Sequence, residues 1–82
     1  MRICLFCEHK YAVSILEPIQ IAADKEGGHD VLWFVDARHI PEFPLKDKVR
    51  YTNSIQDVYD FSPEASFCPG NIMPYYLPGV KI

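Results

Sequence analysis

Gly27-Gly28-His29-Asp30-Val31-Leu32-Trp33-Phe34-Val35 is the stretch on which the fold turns. Two successive glycines end a preceding helix, because glycine takes the left-handed cap conformation without steric cost. Asp30 to Val35 follows as a strand, apolar throughout from Val31. A strand covered on both faces reads this way, whereas a strand with one wet face alternates. Upstream, Ala12, Ile15, Leu16, Ile19, Ala22 and Ala23 share one face of a 3.6-residue period, which predicts a helix. Before them, Arg2-Ile3-Cys4-Leu5-Phe6-Cys7 is a second short apolar and aromatic run, again a buried strand. Strand, helix, Gly-Gly and strand make a βαβ unit with a right-handed crossover. The expected class is α/β with a parallel sheet.

The start of the helix has two readings. Ser14-Ile15-Leu16-Glu17 matches a capping box, which begins the helix at Ile15 and puts Pro18 in its first turn. Alternatively the helix begins near Ala12 and bends at Pro18. Past Val35 the chain is less regular. A loop with Pro41 and Pro44 runs from Asp36 to Lys48. Val49 to Thr52 is a short strand, and Asn53 or Ser54 caps a short helix through Tyr59. Ala65 to Cys68 is a further strand, stopped by Pro69-Gly70. Asn71 to Leu77 is a helical turn interrupted by Pro74, and Pro78-Gly79 is a turn. Val80-Lys81-Ile82 reads as a strand just begun, so the chain is expected to be a piece of a larger fold.

Composition narrows the functional classes. The chain has 82 residues, 49% hydrophobic and 23% charged, which suits one globular domain spanning 1–82. Its net charge is −3 and its basic residues form no run, so a nucleic-acid partner is not expected. No segment approaches the roughly 20 apolar residues of a membrane span. The short first apolar run, followed by Glu8-His9-Lys10, is unlike a signal peptide. An odd cysteine count of three fits a reducing, cytoplasmic setting. Cys4 and Cys7 have CxxC spacing, but residues three apart on a strand point to opposite faces and cannot meet on one metal. No metal site is expected.

Ligands of open parallel sheets bind at the carboxyl ends of the strands. Four stretches occupy such ends: Glu8-His9-Lys10-Tyr11, Asp36-Ala37-Arg38-His39, Thr52-Asn53-Ser54 and Pro69-Gly70-Asn71. In the first, Glu8, His9 and Lys10 offer an acid, a base and a phosphate contact, set against the charge any solvated loop carries. Arg38 and His39 are an anion contact or plain surface residues. Pro69-Gly70-Asn71 leads either into a helix N-terminus, which favours anions, or into a simple turn. His29 belongs to the opposite edge and reads as structural. There is no GxGxxG fingerprint, Walker loop, HExxH or nucleophile elbow, so neither a cofactor nor a catalytic set is expected.

Three stretches carry a resemblance. Met1-Arg2-Ile3-Cys4-Leu5-Phe6, the Pro18-containing helix, and Gly28-His29-Asp30-Val31-Leu32-Trp33-Phe34 together resemble the N-terminal half-domain of GT-B glycosyltransferases. The tail, Pro69-Gly70-Asn71 with Tyr76-Leu77-Pro78-Gly79-Val80-Lys81-Ile82, resembles the CDP-glycerol glycerophosphotransferase family, the teichoic-acid-type polymerases. The resemblance implies a Rossmann-like sheet in three αβα layers, forming part of a GT-B N-terminal domain. It also implies an acceptor-side scaffold for a transferase with a nucleotide-activated donor. Such an enzyme would make a surface polymer at the inner face of the cell membrane, and its acceptor would be a small molecule or polymer. Acceptor contacts fall on His9, Lys10, Tyr11 and Asn71. The family's acceptor-side base, in a His-Gly motif beyond this strand, matches no position here, and the donor half is not represented. The fragment alone is therefore expected to be inactive.

Two rival classes stand beside this one. One is a self-standing Rossmann- or flavodoxin-like module for a small ligand, although the first loop lacks the Ser/Thr-rich cradle of a flavin phosphate. The other is an assembly element, a homo-oligomer joined through an exposed sheet edge.

Overall fold

The computed structural model describes residues 1–69. The elements are β1 (Arg2–Cys7), α1 (Lys10–Glu26), β2 (Asp30–Val35), β3 (Tyr51–Thr52), α2 (Ile55–Phe61) and β4 (Ala65–Phe67). The four strands form one parallel sheet in the order β3-β2-β1-β4. The chain is thus mixed α/β, as expected. The expected helical turn at Asn71–Leu77, the expected strand at Val80–Ile82 and the expected contact Asn71 lie outside the described residues.

The two apolar strands are covered on both faces. Ile3, Leu5 and Cys7 of β1 join Val31, Trp33 and Val35 of β2 beneath α1. Cys4 and Phe6 join Leu32 and Phe34 beneath Val58 and Phe61 of α2. Phe6 and Phe34 stack with ring centroids 5.2 Å apart. Cys4 and Cys7 consequently point to opposite faces. Burial pushes both thiols up to about 11, with a Ser66 hydrogen bond partly offsetting it at Cys4.

Helix α1 follows the second of the two expected starts: it begins at Lys10, two residues before Ala12, and Pro18 lies inside it. Ser14 is not a cap, and its hydroxyl donates to the Tyr11 carbonyl at 3.0 Å within the helix. An interior proline removes one backbone bond and costs about 3 kcal/mol. Packing of Ala12, Leu16 and Ala23 against the sheet works against that cost. Ile15 is 51% exposed and Ala22 is exposed as well. Both sit at the rim of the apolar stripe, where one helix on this face leaves them uncovered. Gly27 ends the helix as expected, but at φ +79° and ψ 163°, outside the left-handed cap region, and its N–H donates to the Ala23 carbonyl.

The segment 36–48 has no helix or strand yet adds Ile40, Phe43 and Leu45 to the core under α1. This explains the shortened β3. Val49 was expected to open that strand, but its N–H is taken by the Leu45 carbonyl and its side chain packs into the same core. Helix α2 begins after Ser54, without a side-chain cap bond, and runs two residues past Tyr59. Phe61 is buried against the sheet, which accounts for the extension. Ser62, at φ 52°, then ends it. Strand β4 stops at Phe67, one residue short of the expected Cys68.

Candidate functional site at the carboxyl edge

The register of the central pair builds the site. Arg2 pairs with Asp30 and Cys7 with Val35, so β1 and β2 end at the same level. The loop Glu8-His9 is therefore set beside the loop Asp36-Ala37-Arg38-His39. The Asp36 N–H donates to the Cys7 carbonyl at 3.1 Å, carrying the sheet bond one residue past β2.

Asp36 is the hub. Its side chain is only 10% exposed. One carboxylate oxygen accepts from Arg38 Nε at 3.2 Å and from the Arg38 backbone N–H at 3.0 Å. The other accepts from Arg38 Nη2 at 3.0 Å and lies 3.1 Å from His39 Nδ1. The Arg38 guanidinium chiefly, with the Arg38 backbone and His39, lowers the Asp36 carboxyl to about 2 against the opposing effect of burial. An ionised carboxylate accepts from Nδ1–H, so it fixes the His39 tautomer and leaves Nε2 as the basic nitrogen.

His39 in turn meets the first loop. The His9 and His39 rings lie 4.7 Å apart at 50°, and His9 stacks on Tyr11 at 5.5 Å. The Cys7 thiol donates to the His9 carbonyl, and Glu8 Oε1 is 3.9 Å from His9 Nε2. His9 is also the N-terminal flank of α1, in an extended backbone conformation with no side-chain cap bond. Of the expected contacts, His9 and Tyr11 are thus brought together in one aromatic stack. Lys10 is exposed on the first turn of α1.

Across the sheet, an open cleft of about 310 Å³ is lined by Phe6, Phe34, Val35, Asp36, Ala37, Arg38 and Asn53. Asn53 Nδ2 donates to the Val35 carbonyl at 2.9 Å and ties the loop after β3 to the end of β2. Asp36 borders both this cleft and the histidine stack. His29 lies at the other edge, with Nε2 3.1 Å from Glu26.

Sequence reasoning took the four strand ends one at a time and gave His39 a place beside Arg38. It missed Asp36 as the organising group and the contact of His39 with His9. The available signal was the equal length of the two apolar runs, which brings their following loops together once the strands are paired.

Among the described residues, no group of three or more His, Cys, Asp or Glu side chains is arranged to hold a metal ion. No helix among them is long and apolar enough to cross a membrane. No family model, curated protein or solved structure matches the chain.

Proposed function

We propose that this chain is the acceptor-side scaffold of a GT-B-like transferase. In this reading the whole enzyme moves a glycerol-phosphate or sugar unit from a CDP-glycerol-type donor onto a surface polymer, at the inner face of the cell membrane. The supporting observation is the convergence of His9, Tyr11, Asp36, Arg38 and His39 at the carboxyl edge of two adjacent parallel strands. That edge is where parallel sheets hold ligands, and its groups suit the hydroxyls and phosphates of a polyol acceptor. Tyr11 and His9 offer a stacked face to a sugar or polyol carbon skeleton. The Rossmann-like, three-layer GT-B assignment belongs to this proposal and rests on the sequence resemblance.

The test is a titration of the isotope-labelled chain with glycerol 3-phosphate, followed by amide NMR. Shifts should concentrate at residues 8–11 and 36–39, with no turnover when CDP-glycerol is added. Absence of shifts at this edge with glycerol 3-phosphate at millimolar concentration would overturn the reading, as would turnover by the chain alone.

A second reading, self-association, draws on β4, the outer strand among the described residues, where Phe67 is 42% exposed. An exposed aromatic on an outer strand favours contact with a second copy. Light scattering at high concentration tests it, and a strictly monomeric mass counts against it.

A further inference from the structure

We propose that His9 and His39 form a proton-gated site for a tetrahedral oxyanion, the phosphate of a phosphorylated polyol. This deepens the acceptor-side reading and rests on it for the identity of the ligand.

The argument begins with charge. Glu8 and Asp36 balance Lys10 and Arg38, so the two loops carry no net charge while both imidazoles are neutral. The Cys7 thiol stays protonated because burial raises it. The loop after β3 contributes Asn53, which is uncharged. The charge of the cluster near neutrality therefore changes through His9 and His39.

Geometry then couples the two rings. At 4.7 Å between centroids, two imidazolium ions repel one another unless something negative lies between or beside them. Asp36 offsets only His39, through Nδ1. Among the described residues His39 Nε2 has no hydrogen-bond partner, and the ring is 45% exposed. Glu8 lies at ion-pair distance from His9, 3.9 Å, but beyond hydrogen-bond reach and half-exposed, so it offsets a charge on His9 only weakly. A tetrahedral oxyanion placed against both rings accepts from both and removes their repulsion. Binding therefore takes up protons, and by linkage the anion binds more tightly as pH falls.

Inorganic sulfate is the appropriate probe, because it remains a dianion across the range while a phosphate monoester titrates with a second pKa of about 6. The labelled chain is titrated with sodium sulfate at constant ionic strength, at about pH 5.5 and about pH 7.5, with amide and imidazole NMR as readout. Affinity should fall about tenfold between the two pH values, the factor expected when one imidazole proton is required. The shifts should centre on His9 and His39. His9→Gln and His39→Gln should each flatten the pH dependence while preserving the spectrum of the rest of the chain. Should one of them unfold, the other variant and the imidazole shifts of the unsubstituted chain give the same reading.

A pH-independent sulfate affinity would overturn the inference, as would shifts centred on Lys48 and Arg50. Glycerol 3-phosphate separates the two proposals. If sulfate binding is proton-coupled at the histidines but glycerol 3-phosphate binds no more tightly than sulfate, the gated site stands and the acceptor reading falls. If glycerol 3-phosphate binds tightly at this edge while sulfate affinity ignores pH, the acceptor reading stands and the gate falls.

Discussion

The Trp33 indole N–H donates to Gln20 Oε1 at 2.8 Å, joining the fully buried centre of β2 to the middle of α1. Gln20 is held in turn, its Nε2 donating to Asp24 one turn along the helix. The pair satisfies the polar atom that comes with the largest side chain in the core. Gln20→Leu strands that N–H and should cost about 1–3 kcal/mol. Trp33→Phe removes the donor as well, so Gln20→Leu combined with Trp33→Phe should be less destabilising than the sum of the two changes. Urea denaturation of the four chains measures this.

Acid stability should depend on Asp36. Its carboxyl is depressed in the folded chain to about 2 from an ordinary value of 3.8. The stability it contributes is therefore present above about 4 and lost as pH falls toward 2. Arg38 is 84% exposed, which screens the pair, so the contribution is on the order of 1–2 kcal/mol. Asp36→Asn should lower stability at neutral pH by that amount and converge with the parent near pH 2. Thermal melts across this range give the comparison. Convergence already at neutral pH would remove Asp36 from its role as hub.

The buried thiols set the alkaline limb. Cys4 and Cys7 have folded-state values raised to about 11 from 9.0. Their contribution is complete below about 9 and is lost as pH rises through 11, because the unfolded chain ionises first. Cys7→Ala should therefore flatten the fall of stability between these values. At neutral pH Cys68, which is half-buried, should react with a thiol reagent well before Cys4 or Cys7. Mass spectrometry of briefly alkylated native chain reads the order.

Gly27 holds φ +79° and ψ 163°, a region open essentially to glycine. A methyl group there meets no atom within 4 Å, so the penalty for Gly27→Ala is conformational. It should cost about 1–3 kcal/mol. Gly27→D-Ala, made by chemical ligation, should restore most of that loss. An equal loss for both enantiomers in thermal melts would point to packing instead.

Much of this fold was legible in the residues. Strands β1 and β2 were bounded correctly because apolar runs covered on both faces leave little ambiguity, and Gly27 marked the helix end. The helix start was legible only as one of two readings, because Ser14-Ile15-Leu16-Glu17 satisfies a local cap rule that the longer helix overrides. Ile40, Phe43 and Leu45 lie among turns, and no periodicity announces that such side chains fill a core. The site was half legible. His9 and Tyr11 stand where strand ends place ligands, but the approach of His39 depends on pairing between strands far apart in sequence.

The doubly covered sheet leaves β1 and β2 with no wet face, so polarity cannot guard them against slipping by one residue. A slip would trade Leu5 and Cys7 for Cys4 and Phe6 with little change in how oily either surface is. The indole marks one face of β2, because its acceptor Gln20 lies on the side of α1. The bond fixes which face of β2 that helix covers, while the backbone register sets Cys7 level with Val35. That register holds the two histidine-bearing loops at one height, so the edge site inherits its geometry from strand pairing and not from any contact of its own.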